Sequence, residues 1–555
     1  MKESTRTVAR VSEKNGIPVI TVNGEPIMEM AYVTYRPRHN RYADFARGGV
    51  KLFSVNLNVS EMPINERAPV LVFQKGIFEG EEPNFSVVDE NLSQILEACP
   101  DAYVFLRVNL NLPRRWELEH PLELCEAGFG DRRRFSYASD AWAEEVERCL
   151  TALIRYVEAS PYGDRVIGYQ LAAGNTEEWL SIDPQSGYGP RAKEKFLAHC
   201  QEKGTSPTPE AYYGFMSELV ASRIIRLADT AKALTHGDKL VGCFYGYTLF
   251  VGRSECHNAL SKILKSESVD FLCSPLTYAE LRRSGLDLYA MLPTASVRHH
   301  GKVYFSENDI RTHLSRPIHD HPNYTSPIWY GHEKPVVTEQ MKLSFCRALL
   351  YGYGLWWFDM WGGWYGDEDY MALISAMSDL CGQGMDTPDA EVGVFVDEDS
   401  IPQAEHAPGI TASAMRSLGL CGTPYDPYLA SDFEEVFRRY KACILIEPAE
   451  TPRSRACAEA AARAAVPLLR MGSDVPSAEE LRTWLSAAGV TLPVDRPAVV
   501  YRGVRYLSLY TPEAGVYDLC DGERRCFTDA FSGETVTFPC SLQGGRCLLF
   551  LREKP

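Results

Sequence analysis

KVYFSENDIRTH (residues 302–313) begins as an apolar, β-branched run and stops abruptly at Glu307, with Asp309, Arg311 and His313 crowded behind it. Seven more runs of this kind are spread over residues 1–388: PIMEMAYV, VKLFSVNL, AYVFLRVNL, RVIGYQLA, KLVGCFYGY, VDFLCSP and LWWFDMW. Each stays apolar almost to its end, the pattern of strands in a parallel sheet that is covered on both faces. Helical stripes lie between them. Behind Asp140, read as an N-cap, Trp142, Val146, Leu150, Leu153 and Val157 recur at three- and four-residue steps. Phe215, Leu219, Ile224, Leu227 and Ala231 form a second stripe. Eight strands with helices interleaved predict a (β/α)8 barrel rather than an open sheet.

In such a barrel the C-terminal strand ends share one mouth, and Glu307 closes the seventh strand. The other ends supply Tyr35 and Arg36 (first), Asn109 and Asn111 (third), Glu177 and Glu178 (fourth), Tyr245 and Tyr247 (fifth) and Tyr278 (sixth). The eighth supplies Asp359 with Trp357, Trp361 and Trp364. Two carboxyls across one cavity are what glycoside hydrolysis needs, one to protonate the leaving oxygen and one to attack carbon or activate water. Indole faces suit the C–H faces of sugar rings. The expected sugar contacts are Arg36, Asn109, Asn111, Trp116, Asn175, Tyr247, Tyr278, Asp309, Trp357 and Trp361. Strand alternation sends neighbouring tryptophans to opposite faces, so Trp356, Trp357, Trp361 and Trp364 are not all expected at the site. Plainer readings exist: a loop-opening surface carboxylate for Glu307, and acids favoured by the dipole of a helix start for Glu177 and Glu178.

Composition narrows the function classes. At 555 residues, 45% hydrophobic and 24% charged, the chain is a globular protein of two or three domains. A net charge of −17 argues against nucleic acid or an anionic membrane as partner. The N-terminal residues lack an apolar signal core and no run of eighteen apolar residues occurs, so the expectation is a cytoplasmic chain. The 16 cysteines include no C-x-x-C, and neither a phosphate loop nor a dinucleotide fingerprint is present, so no metal or cofactor is expected. Two clusters tempt a metal reading: Cys520, Cys526, Cys540 and Cys547, read as ordinary small core residues, and His313, His319 and His321 with Asp320, where HPNYTSPIWYGHEKP reads as a loop over the barrel mouth.

GYQLAAGNTEEW, KVYFSENDIRTHL and GLWWFDMWGGWY resemble the retaining barrel glycosidases, and among them glycoside hydrolase family 42 β-galactosidases and their close relatives. The resemblance runs on: AEVGVFVDEDS, YKACILIEP and VPLLRMGS look like the flavodoxin-like trimerisation domain of those enzymes, and VVYRGVRYLSLY with GRCLLFL like their small C-terminal antiparallel β domain. It implies a barrel over 1–388, a flavodoxin-like α/β domain over 389–494, a β-sandwich-like domain over 495–555, and a homotrimer. It also implies a retaining exo-β-glycosidase with carboxyls about 5–5.5 Å apart. Glu307 would be the nucleophile, oriented by Asp309, Arg311 and Tyr278, and Glu178 the acid/base, with Glu177 the alternative. One departure is plain: the clan places Asn directly before the acid/base, whereas Asn175 is followed here by Thr176, Glu177 and Glu178. β-Galactosidase is the first expectation. β-Mannosidase, β-glucosidase and a non-catalytic carbohydrate-binding barrel are the alternatives.

Overall fold

The computed structural model describes residues 6–65, 72, 74–126, 134–180, 189–278, 282–315 and 333–552. Eight parallel strands close into a barrel in chain order: Met30–Thr34, Leu52–Asn58, Tyr103–Asn109, Val166–Ala172, Leu240–Phe244, Phe271–Pro275, Val303–Asn308 and Gly354–Phe358. These are the eight apolar runs of the sequence, and the last pairs with the first through Trp356 opposite Ala31.

The barrel is filled by trading glycine against phenylalanine. Phe105, Phe271 and Phe305 point inward with ring centroids 4.8–6.0 Å apart. A Cβ on Gly168 would lie 2.8 Å from Phe105, on Gly242 2.3 Å from Phe271, and on Gly354 2.5 Å from Phe305. Each glycine thus vacates the volume that a ring occupies, as close packing demands. Two residues further along each strand, on the same face, stand Arg107, Gln170, Phe244, Cys273, Glu307 and Trp356. The aromatic plug is therefore the floor of whatever lies above it.

The same parity places Trp357 on the outer face. It pairs in register with Tyr32 and its ring is 5.7 Å from Tyr365, in the layer between barrel and helices. Trp356, its neighbour, is the inward one.

The helix behind the third strand is Asp140–Ala159, and its cap is Ser139, whose hydroxyl accepts from the Trp142 N–H at 2.9 Å; the expected cap, Asp140, is the first helical residue. The second stripe belongs to Pro209–Leu234, where Met216, Val220, Ile224, Leu227 and Ala231 are buried, while Phe215 and Leu219 are only partly so. The N-terminal hairpin, Ala9–Lys14 with Ile17–Val22, turns on Asn15 and Gly16, both at positive φ as a two-residue hairpin requires.

Beyond the barrel, four parallel strands follow the order Tyr425–Leu429, Val392–Val396, Ala442–Ile446, Leu468–Met471. This is flavodoxin-like winding with one strand fewer. An antiparallel sheet of Val499–Arg502, Tyr506–Tyr510 and Cys547–Leu551 closes the chain, with two short ribbons beside it. All three parts meet at Asp287: Arg347 donates to it at 2.7 and 2.8 Å, Tyr425 at 3.3 Å, and Tyr501 also donates. No helix among the described residues is long and apolar enough to cross a membrane.

Candidate active site

At the C-terminal end of the strands lies a cavity of about 270 Å³, near the lower end of the roughly 300–1,000 Å³ usual for small-molecule sites. Glu178 and Glu307 both line it, with Asn175, Tyr247, Tyr278 and Arg311.

Glu307 is 4% exposed. Arg107, from the middle of the third strand, donates to its Oε2, and so does the Trp356 indole N–H at 3.2 Å. Both donors take the same oxygen, so Oε1 is left for the cavity. The guanidinium is itself held by the Gln170 side-chain oxygen at 3.1 Å and lies over the Phe244 ring at 4.6 Å. Burial raises the Glu307 pKa, and the Arg107 charge and hydrogen bond oppose that rise.

Glu178 sits on a tight turn after the fourth strand. Asn111 fixes the start of the turn, accepting from the Gly174 N–H at 2.9 Å and donating to its carbonyl at 3.1 Å. Gly174 has φ +76, and a Cβ there would lie 2.1 Å from the Tyr137 hydroxyl. Thr176, Glu177 and Trp179 also adopt positive φ, strained for residues with side chains. Trp179 anchors the far end through its indole N–H to the Leu171 carbonyl at 2.9 Å. The effect is to turn two adjacent glutamates in different directions. Glu178 faces the cavity, where the Tyr247 hydroxyl donates to it at 2.8 Å. Glu177 is fully buried beneath the turn: Asn56 donates to its Oε1 at 3.0 Å, and its Oε2, 3.8 Å from Arg107, accepts no hydrogen bond.

Burial pushes the Glu178 carboxyl up to about 8, with a further push from Glu307 and opposition from the Thr176 and Tyr247 hydroxyls. Glu177 is pushed up to about 7 by burial, against the pull of Arg107. His257 packs its ring 4.7 Å from those of Tyr245 and Tyr247, and burial lowers it to about 3, so it is neutral at physiological pH. One carboxyl that keeps its proton and one that is ion-paired, both open to one cavity, can divide acid and anionic roles between them.

Of the other expected contacts, Asn175, Tyr247 and Tyr278 line the cavity, and Arg36, Asn109, Asn111, Trp116, Asp309, Trp357 and Trp361 do not. Asn109 joins Asn58 at 3.1 Å and accepts from the Asn111 N–H. Trp116 stacks on His120 at 4.4 Å, and Trp361 lies 6.2 Å from the Tyr35 ring. Asp309 is ion-paired with Arg282 and with Arg311, the latter at 3.3 Å. Among the described residues the donors to Glu307 are thus Arg107 and Trp356, where Asp309, Arg311 and Tyr278 were expected to orient it. His319, Asp320 and His321 lie outside the described residues, and His313 is engaged with the Tyr370 hydroxyl at 2.9 Å. Among the described residues no group of His, Cys, Asp or Glu is arranged to hold a metal ion.

Sequence reasoning passed over Arg107, although a lone arginine inside AYVFLRVNL signals a buried carboxylate partner. It also passed over the apolar wall, Ile64, Leu180, Phe250, Val251, Met291, Phe358 and Met360, for which no local signal exists.

The barrel with its two further sheets is the fold of β-galactosidase-like glycoside hydrolases. A cold-adapted β-galactosidase from Rahnella sp. R3 matches with a TM-score of 0.65 and 11% identity, over 99% of this chain and 100% of that one. A glycoside hydrolase family 42 β-galactosidase from G. stearothermophilus matches at 0.64 and 10%, over 98% and 99%. A family 42 exo-carrageenase from Bacteroides ovatus matches at 0.60 and 12%, over 99% and 86%. No protein-family model matches the sequence. No curated protein matches it significantly.

Proposed function

We propose that this chain is a retaining exo-β-glycosidase acting on a terminal β-linked monosaccharide, with β-galactoside the first candidate. The observation that carries it is the pair Glu178 and Glu307 lining one cavity, the first pushed up to about 8 by burial and the second ion-paired with Arg107. Glu307 Oε1 attacks the anomeric carbon while Glu178 protonates the leaving oxygen. Glu178, then ionised, takes a proton from the water that releases the sugar. The turn geometry favours Glu178 over Glu177 as the acid/base, because Glu177 points below the cavity. Asn175, Tyr247 and Tyr278 are the proposed sugar contacts. Neither proton transfer nor attack calls for a cofactor. A homotrimer is part of the same proposal, resting on the resemblance of residues 389–494.

The test is a panel of aryl β-glycosides. Expected are turnover on at least one sugar, a β-configured first product by NMR, and loss of nearly all activity in Glu307→Ala, with azide restoring turnover as an α-glycosyl azide. An inverted first product or full activity in Glu307→Ala overturns it. One observation favours a binding-only barrel: the Arg107 ion pair offsets the charge that a nucleophile uses. Sugar binding without turnover on any member of the panel would establish that second reading.

A further inference from the structure

We infer that the leaving group this site accepts is apolar, an alkyl or aryl alcohol rather than a second sugar; the inference rests on the glycosidase reading above. The leaving oxygen must lie against Glu178, so the side chains on the loops around Glu178 form the aglycone site. Leu180 is two residues further along the same turn, joined to Asn175 by a β-bridge. Ile64 is alongside, its carbonyl accepting from the Thr176 N–H at 2.7 Å. On the other flank, Tyr247 donates to Glu178, and its loop continues into Phe250 and Val251. Met291 is brought to that loop by the bond from the Leu249 N–H to its carbonyl at 3.0 Å.

Both flanks of the acid are therefore lined mainly by aliphatic and aromatic carbon, with Asn65 and Thr176 as polar side chains among it. Leu180, Phe250 and Val251 are only partly buried at the cavity, apolar surface that a ligand can cover. None of the five apolar side chains donates or accepts a hydrogen bond strongly. Among the described residues a sugar placed there would find few partners for its hydroxyls, whereas an alkyl chain or aryl ring would gain from burial. Asn175, Tyr278 and Glu307, in the same lining, supply hydrogen-bonding groups for the one sugar that reacts.

The experiment uses the full-length protein and n-alkyl β-glycosides, ethyl to hexyl, of the sugar preferred in the aryl panel, beside a disaccharide of that sugar. Leaving-group acidity is nearly constant along the series, so kcat/KM reports aglycone binding in the transition state. The expected result is a rise of about threefold to fourfold per methylene until the wall is covered, following the usual value of a buried CH₂. The disaccharide should fall at least tenfold below the hexyl glycoside. Leu180→Asn and Phe250→Asn should each flatten the hexyl-to-ethyl ratio, a readout independent of how much variant folds. A flat series, or a preferred disaccharide, overturns this inference and leaves the glycosidase reading intact. Turnover of no glycoside at all overturns both.

Discussion

Replacing Glu178 by Gln should separate stability from function in a pH-dependent way. The folded carboxyl has a pKa of about 8 against an ordinary 4.5, because burial penalises its charged form. The folded state thus keeps a proton that the unfolded chain releases, and stability is lost progressively as pH climbs from 4.5 to 8. Above pH 8 the cost is complete. Carrying the group from 4.5 to about 8, at about 1.4 kcal/mol per tenfold change in proton affinity, sets an upper limit near 5 kcal/mol. Gln carries no charge to bury, and its carbonyl oxygen can still accept from Tyr247. Wild type and Glu178→Gln should therefore melt together near pH 5 and diverge with rising pH, the variant being several degrees more stable at pH 9. Over the same range the variant should lose about 10²–10⁴-fold in turnover of substrates with poor leaving groups, the usual worth of a general acid. Thermal melts by fluorescence at half-unit pH steps provide the assay. A melting difference that does not grow between pH 5 and pH 9 would refute the argument, as would undiminished turnover of poor leaving groups.

Three further outcomes are expected. Arg107→Gln removes the cation that holds Glu307 ionised, so the acidic limb of kcat/KM should move to higher pH; breaking this buried pair should also cost about 3–5 kcal/mol in stability, and an unmoved limb would show that Glu307 does not rely on Arg107. Trp357→Phe, outside the barrel lumen, should lower the melting temperature and leave KM and the substrate ranking unchanged, whereas a KM raised severalfold would place the indole at the sugar. Light scattering at micromolar concentration should give three times the 62.2 kDa chain mass, and a single-chain mass would sink the trimer.

The barrel was legible because eight buried strands must read as unbroken apolar runs, and turns of polar residues mark their ends. Glu307 and Glu178 were legible for the same reason, as acids standing where a buried strand surfaces. The face of each tryptophan was not, because parity is known only once one inward residue is fixed. The glycine and phenylalanine partners, Gly354 beside Phe305 above all, are what fix it, and they are distant in sequence. Which of Glu177 and Glu178 faces the cavity was only half legible: the resemblance put Glu178 first and left Glu177 as the alternative. The orientation depends on positive φ at Thr176, Glu177 and Trp179, which non-glycine residues do not advertise, and on Asn111 and Leu171 holding the turn from other strands. The start of the helix Asp140–Ala159 was located within a residue because its apolar stripe is a local feature, although the cap is Ser139 and not Asp140.

The four-residue knot around Asp287 has a consequence for how the molecule can be cut. Its acid and arginine belong to the barrel, one tyrosine to the parallel sheet and the other to the last strands, and the Arg347 side chain is only 2% exposed. Deleting the C-terminal strands would take away Tyr501 and open this charged pair to water at a surface shaped to be covered. The chain is thus closer to an arch than to beads on a string: its final sixty residues, none of whose described members lines the cavity, sit as the keystone over this charged pair.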